Sequence, residues 1–131
     1  MRSRICKTHT FISPKKGIML YISTSIYQLS RKLSSIAWKI FCRMDFLDKK
    51  HIGDQFLRSV DSIGANIAEG YGRQHGGEYK QFLSMAYGSL AELETQYLLA
   101  IDLRYINKSE TIESLLKEVG SMLYRMINPI R

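Results

Sequence analysis

Residues 52–73 read IGDQFLRSVDSIGANIAEGYGR, and two stripes woven through them decide the fold. Turned through 100° per residue, Ile52, Phe56, Val60, Ile63 and Ile67 fall within an arc of roughly 80°, the core stripe of an amphipathic helix. The pattern predicts a helix from about Ile52 to Tyr71. Beside that stripe Gln55, Ser59, Ser62, Asn66, Glu69 and Arg73 recur at alternating spacings of four and three, the spacing of a bundle seam, yet each is polar or charged. Ser59, Ser62 and Gly64 permit another backbone to come close. Asn66, Glu69 and Arg73 must then find hydrogen-bond partners, because an unsatisfied buried polar group costs about 1–3 kcal/mol. Glu69 reaches Arg73 in the favourable i, i+4 direction.

The stretch Gly70-Tyr71-Gly72-Arg73-Gln74-His75-Gly76-Gly77 predicts a turn. Beyond it, residues 78–105 hold Phe82, Leu83, Ala86, Leu90, Leu93, Tyr97, Ala100 and Ile101 on a broad apolar face. Here Ser89, Glu92 and Gln96 repeat the polar spacing. Folding the two segments back on each other places residues whose numbers sum to about 151 at one level: Ser62 beside Ser89, Arg58 near Glu92 or Leu93, and Gln55 level with Gln96. The seam is expected to fix helix register or an oligomer interface.

Working outward, no proline stands between Pro14 and Pro129 to break a helix. An earlier segment, from about Thr24 to Met44, carries Ile26, Leu29, Leu33, Ile36, Ala37, Ile40, Phe41 and Met44, with Ser23, Thr24 and Ser25 as candidate N-caps. The stretch from Asp45 to Lys50 reads as a linker. A last segment begins at Ser109, a plausible N-cap with Glu110 and Glu113 in the first turn. It buries Ile112, Leu115, Leu116, Val119, Met122, Leu123, Met126 and Ile127, and ends near Asn128. No run alternates long enough for a strand. Four amphipathic helices with short connections predict an all-α, antiparallel up-and-down four-helix bundle over residues 24–131.

Charge divides the 131 residues unevenly. Lys and Arg outnumber Asp and Glu by 19 to 12, with a formal net charge of +7. Five of the basic residues and no acidic one lie in residues 1–20, so residues 1–23 read as a basic extension, with Met19 a possible start. Residues 21–60 carry seven basic against three acidic residues, which gives the first half of the bundle a basic face. Arg31, Lys32, Lys39, Arg43, Lys49, Lys50, Arg58 and Arg73 are the candidates for RNA phosphates, since each neutralised phosphate adds affinity without base contacts. Most of the eight tyrosines, at helical spacing, are expected in the core or interfaces.

Cys6 and Cys42 form no C-x-x-C pair, and His9, His51 and His75 are scattered singly, so no metal or cofactor is expected. No apolar run reaches the length of a secretory signal or a membrane span, and a cytoplasmic, membrane-free protein is expected. No nucleophile with a base and no paired carboxylates come together, so no enzyme is expected. Small all-helical ribonucleases of the higher eukaryote and prokaryote nucleotide-binding family carry an Arg followed by four to six residues and a His. Arg43 and His51 are separated by seven residues and Arg73 and His75 by one, and neither pair fits.

The run Asn66-Ile67-Ala68-Glu69-Gly70-Tyr71-Gly72-Arg73, followed by Gly88-Ser89 and Glu92-Leu93-Glu94, resembles the bacterial proteins encoded by intervening sequences of 23S ribosomal RNA genes. The resemblance covers about residues 24–128. It implies a left-handed up-and-down bundle assembling with itself, often as a ring-shaped homopentamer, with no established catalytic residues and RNA as the usual partner. Accessory proteins of diversity-generating retroelements are distantly similar. Where family members commonly read Q-L-R-R, this chain has Gln55-Phe56-Leu57-Arg58. One basic position is thereby apolar, and Leu57 is expected to enlarge a subunit contact. The alternative expectation is a protein adaptor that binds no nucleic acid directly.

Overall fold

A computed structural model describes residues 24–73 and 76–129. The basic extension over residues 1–23, including Cys6 and His9, lies outside the described residues, as does His75 of the predicted turn. Four long helices form the chain: α1 (Ser25–Arg43), α2 (Asp54–Arg73), α3 (Gly76–Asp102) and α4 (Glu110–Ile127). They pack in a cycle, α1 on α2, α2 on α3, α3 on α4 and α4 on α1, as an antiparallel bundle must. The α2–α3 hairpin is the most extensive pair and the α1–α4 seam the most open. Among the described residues there is no strand.

The core is the sum of the four apolar stripes. Ile52, Phe56, Val60, Ile63 and Ile67 are buried, and Val60, Ile63 and Ile67 are wholly inaccessible together with Leu83, Ala86, Val119 and Leu123. Leu57 is half-buried and packs against this same core. Thr24 caps α1, its hydroxyl accepting from the Tyr27 N–H at 3.4 Å. Ser109 caps α4, accepting from the Ile112 N–H at 3.2 Å, with Glu110 and Glu113 in the first turn.

Two boundaries differ from those read in the sequence. The linker after α1 is helical: Phe46–Asp48 form a short turn capped by Asp45, and Lys49–Gly53 a π-helical turn that runs directly into α2. Its cause is packing. Ile52 and Gly53 are buried, and a Cβ on Gly53 would stand 2.7 Å from the Phe41 ring, so the chain can approach α1 there only without a side chain. The glycine-rich stretch also stays helical as far as Arg73 and again from Gly76. Gly64, for its part, makes its close approach to Ser30 of α1 and not to α3; an added Cβ would lie 3.2 Å from the Ser30 hydroxyl.

Candidate nucleic-acid interface

The polar seam of α2 meets α3 at three levels. Ser62 and Ser89 share a hydrogen bond at 2.8 Å, the pairing read from the register. Gln55 donates its amide to Glu92 at 2.8 Å, one turn away from the Gln96 level. Asn66 turns back along its own helix, donating to the Ser62 carbonyl at 2.9 Å and hydroxyl at 3.2 Å. Ser59 is buried and donates to the carbonyls of Gln55 and Phe56. Arg58 is exposed and makes no ion pair with Glu92. At the end of the seam Arg73 bridges Glu69 at 3.1 Å and Glu78 of α3 at 3.6 Å, with its guanidinium 5.5 Å from the Phe82 ring centre. These contacts engage Arg73 with two carboxylates at the surface.

The other cationic candidates sort by their surroundings. Lys49 lies over the Phe41 ring at 5.2 Å and Lys50 over Phe46 at 5.3 Å. Arg31 is half-buried and partnered. Lys32, Lys39 and Arg43 are exposed, and among the described residues none of them is ion-paired. These three recur at seven and four residues, which puts them within about 40° of one another on α1, over roughly 16 Å of its length. No acidic residue occurs anywhere in α1.

This line borders the open α1–α4 seam. Lys32, Ser35, Ile36 and Lys39 face Glu110, Thr111, Ser114 and Leu115 across a groove of about 660 Å³. Ile36 also lines a second cavity of about 570 Å³ at the end of the bundle, where Arg43 and Met44 meet residues 104–109 of the α3–α4 connection. There Lys108 is held by Glu113. Desolvation, and then the Asp48 carboxylate, raise the Tyr105 phenol above its ordinary range, so its proton stays on. Arg104 was not singled out by its sequence. It holds φ at +67°, a conformation that glycine or asparagine usually supplies at a helix C-terminus.

Among the described residues no group of three or more His, Cys, Asp or Glu is placed to hold a metal ion, and no helix is long and apolar enough to cross a membrane. What fold and site define is an antiparallel four-helix bundle with an unpaired cationic edge along its first helix. The chain belongs to the 23S rRNA-intervening sequence protein family, whose model it matches over residues 23–125. It is similar to a protein of unknown function from the S23 ribosomal protein family of Bacteroides thetaiotaomicron, solved by crystallography. The two are 26% identical with a TM-score of 0.70, over 79% of this chain and 98% of that one. No curated protein matches the chain.

Proposed function

We propose that the protein is a non-enzymatic, self-associating helical bundle that binds RNA phosphates along the α1 edge. The observation carrying this reading is the line Lys32, Lys39 and Arg43: three exposed cations in no ion pair among the described residues, two of them bordering a groove whose far side holds Glu110, on a helix that has no acid. Such a line favours a polyanion with regularly spaced charges and needs no base contacts. The family's name, which refers to 23S rRNA, is in keeping with it. Replacing Lys32 and Lys39 together by Glu is expected to abolish binding of a labelled single-stranded RNA at 50 mM salt and leave the helical content intact. For the unaltered protein, affinity falls steeply as salt rises, since each phosphate contact contributes close to one unit to the slope. Binding that ignores both salt and the double substitution refutes the α1 edge as the phosphate site, and absence of RNA binding at 50 mM salt refutes the reading in favour of the adaptor alternative.

Self-association rests on α3. Besides its core face, this helix exposes Met85 (48%), Tyr87 (41%), Leu98 (59%) and Leu99 (42%), with Leu103 (46%) just past its end, which leaves it apolar around much of its circumference. A helix of that kind is ordinarily covered. A second copy, presenting the same face, is the occupant proposed, and repeated copies multiply a modest phosphate-binding edge. Native mass measurement of the full chain is expected to give an oligomer, and Leu98→Glu with Leu99→Glu a monomer that remains helical. A monomer before substitution rules the assembly out.

A further inference from the structure

The cavity at the end of the bundle joins an apolar floor to a rim that holds three cations, Arg43, Arg104 and Lys108, and one carboxylate, Asp48, which the Tyr105 phenol engages. Ile36, Ile40, Ile106 and Ile112 supply the floor. Of the cations around it, Lys108 is neutralised by Glu113, whereas Arg43 and Arg104 make no ion pair among the described residues. A ligand that satisfies such a site needs an anion able to take two guanidinium forks and an apolar body attached to it. Inorganic phosphate would leave the floor unused, and a bare apolar molecule would leave both guanidiniums unused. A volume of about 570 Å³ lies in the range of small-ligand sites.

Position narrows the class further. Ile36 belongs to the groove and to the cavity alike, and Arg43 continues the line of Lys32 and Lys39. A strand laid along that line therefore arrives at the cavity mouth. Arg104, whose backbone adopts the left-handed conformation without being glycine, lines the same cavity from the α3–α4 connection. Its own amide and the next close the end of α3, Arg104 N–H on the Ile101 carbonyl at 3.0 Å and Tyr105 N–H on the Ala100 carbonyl at 2.9 Å. Glycine would make the same turn with less strain, so an arginine there sacrifices stability and is explained if its side chain has a ligand.

We propose that this cavity takes one nucleoside phosphate unit, an unstacked nucleotide at the end of the bound RNA segment, with its phosphate on Arg43 and Arg104 and its base on the isoleucine floor. This inference rests on the RNA reading of the α1 edge. Single-stranded RNA is ordinarily read by splaying bases into such pockets, and the same chemistry is offered by a free nucleoside monophosphate.

The test uses the full chain, a labelled single-stranded RNA, and adenosine and uridine monophosphates with inorganic phosphate as competitors. Arg104→Gly is expected to raise the urea midpoint and to weaken RNA roughly tenfold, because a charge-assisted contact is lost without harm to the fold. Arg43→Gln weakens it similarly. The monophosphates are expected to displace RNA at lower concentration than inorganic phosphate does. If Arg104→Gly and Arg43→Gln bind RNA as the unaltered chain does while the Lys32 and Lys39 double variant does not, the cavity inference is overturned and the α1 reading stands. Equal competition by inorganic phosphate overturns it as well, since the floor then plays no part. If the unaltered chain binds no RNA, the α1 reading fails. Equilibrium dialysis of the free monophosphates then decides the cavity alone: retention that Arg104→Gly removes supports a free-nucleotide site, and no retention refutes the site.

Discussion

Replacing Ile63 by Ala is expected to lower the unfolding free energy by about 2–5 kcal/mol, among the largest losses available to a single substitution in this chain. Ile63 lies mid-way along α2 and is wholly inaccessible, within the cluster that includes Val60, Ile67, Leu83 and Val119. Removing its outer carbons forfeits their transfer from water and leaves a void, because helices already in contact relax only in part. Urea titration followed by circular dichroism gives the number, with the midpoint falling and the slope unchanged. Ala65, two residues on, on the opposite side of the helix and exposed, provides the comparison: Ala65→Ser should stay within about 0.5 kcal/mol. A loss at Ile63 below about 1 kcal/mol would mean that the α2 stripe does not form the bundle's centre.

That the stripe could be read at all follows from local physics. Periodicity at three and four residues, Thr24 and Ser109 as caps, and the absence of internal proline act within one helical turn, so they are visible along the chain. The Ser62–Ser89 level was legible for a related reason, since an antiparallel hairpin has one register once its turn is placed. What stayed hidden depends on distant partners. Asp45 to Lys50 reads as a linker on its charges, and only the approach to the Phe41 ring at Gly53 explains why the chain remains helical there. The seventh and eighth residues of the glycine stretch join α3 for a similar reason, as Arg73 and Glu78 tie the two helices across the turn. Arg104 was missed because nothing in Asp102-Leu103-Arg104-Tyr105 marks a left-handed residue, and α3 was accordingly read three residues too long. Of the eight cationic candidates, sequence could give the charge but not the neighbours, and it is the neighbours that separate Lys32, Lys39 and Arg43 from Arg73.

The connection that carries Arg104 is itself held by Tyr97, and substitutions there are expected to have an effect as large as those in the central core. The Tyr97 ring is buried, and its hydroxyl accepts from the Ser109 N–H at 2.7 Å. The same hydroxyl donates to Glu113 at 2.9 Å, with the Ser109 carbonyl at 3.2 Å as an alternative acceptor. One side chain of α3 thus fixes the N-cap of α4. Tyr97→Ala is expected to cost about 3–5 kcal/mol, the range for deleting a buried aromatic ring. Tyr97→Phe keeps the ring and strands the Ser109 amide, for about 1–3 kcal/mol. Glu113 adds a pH signature. The Lys108 ammonium, and then the Tyr97 hydroxyl, hold its carboxyl below the usual range. A lowered acid stabilises the fold above its unfolded value near 4.3, and that contribution is lost as pH falls through the folded value. Lys108 is raised chiefly by its hydrogen bond to Glu113, and Tyr97 chiefly by desolvation. Raised groups stabilise below their unfolded values, near 10, and lose that contribution as pH climbs through the folded ones. Stability should therefore be level between about pH 5 and 9 and fall on both sides. Tyr97→Phe removes the tyrosine's share of the alkaline fall and makes the acid fall shallower, because Glu113 loses one of its two donors. Urea midpoints measured from pH 3 to 11 would show this, and an unchanged profile in Tyr97→Phe would mean that the hydroxyl does not couple α3 to α4.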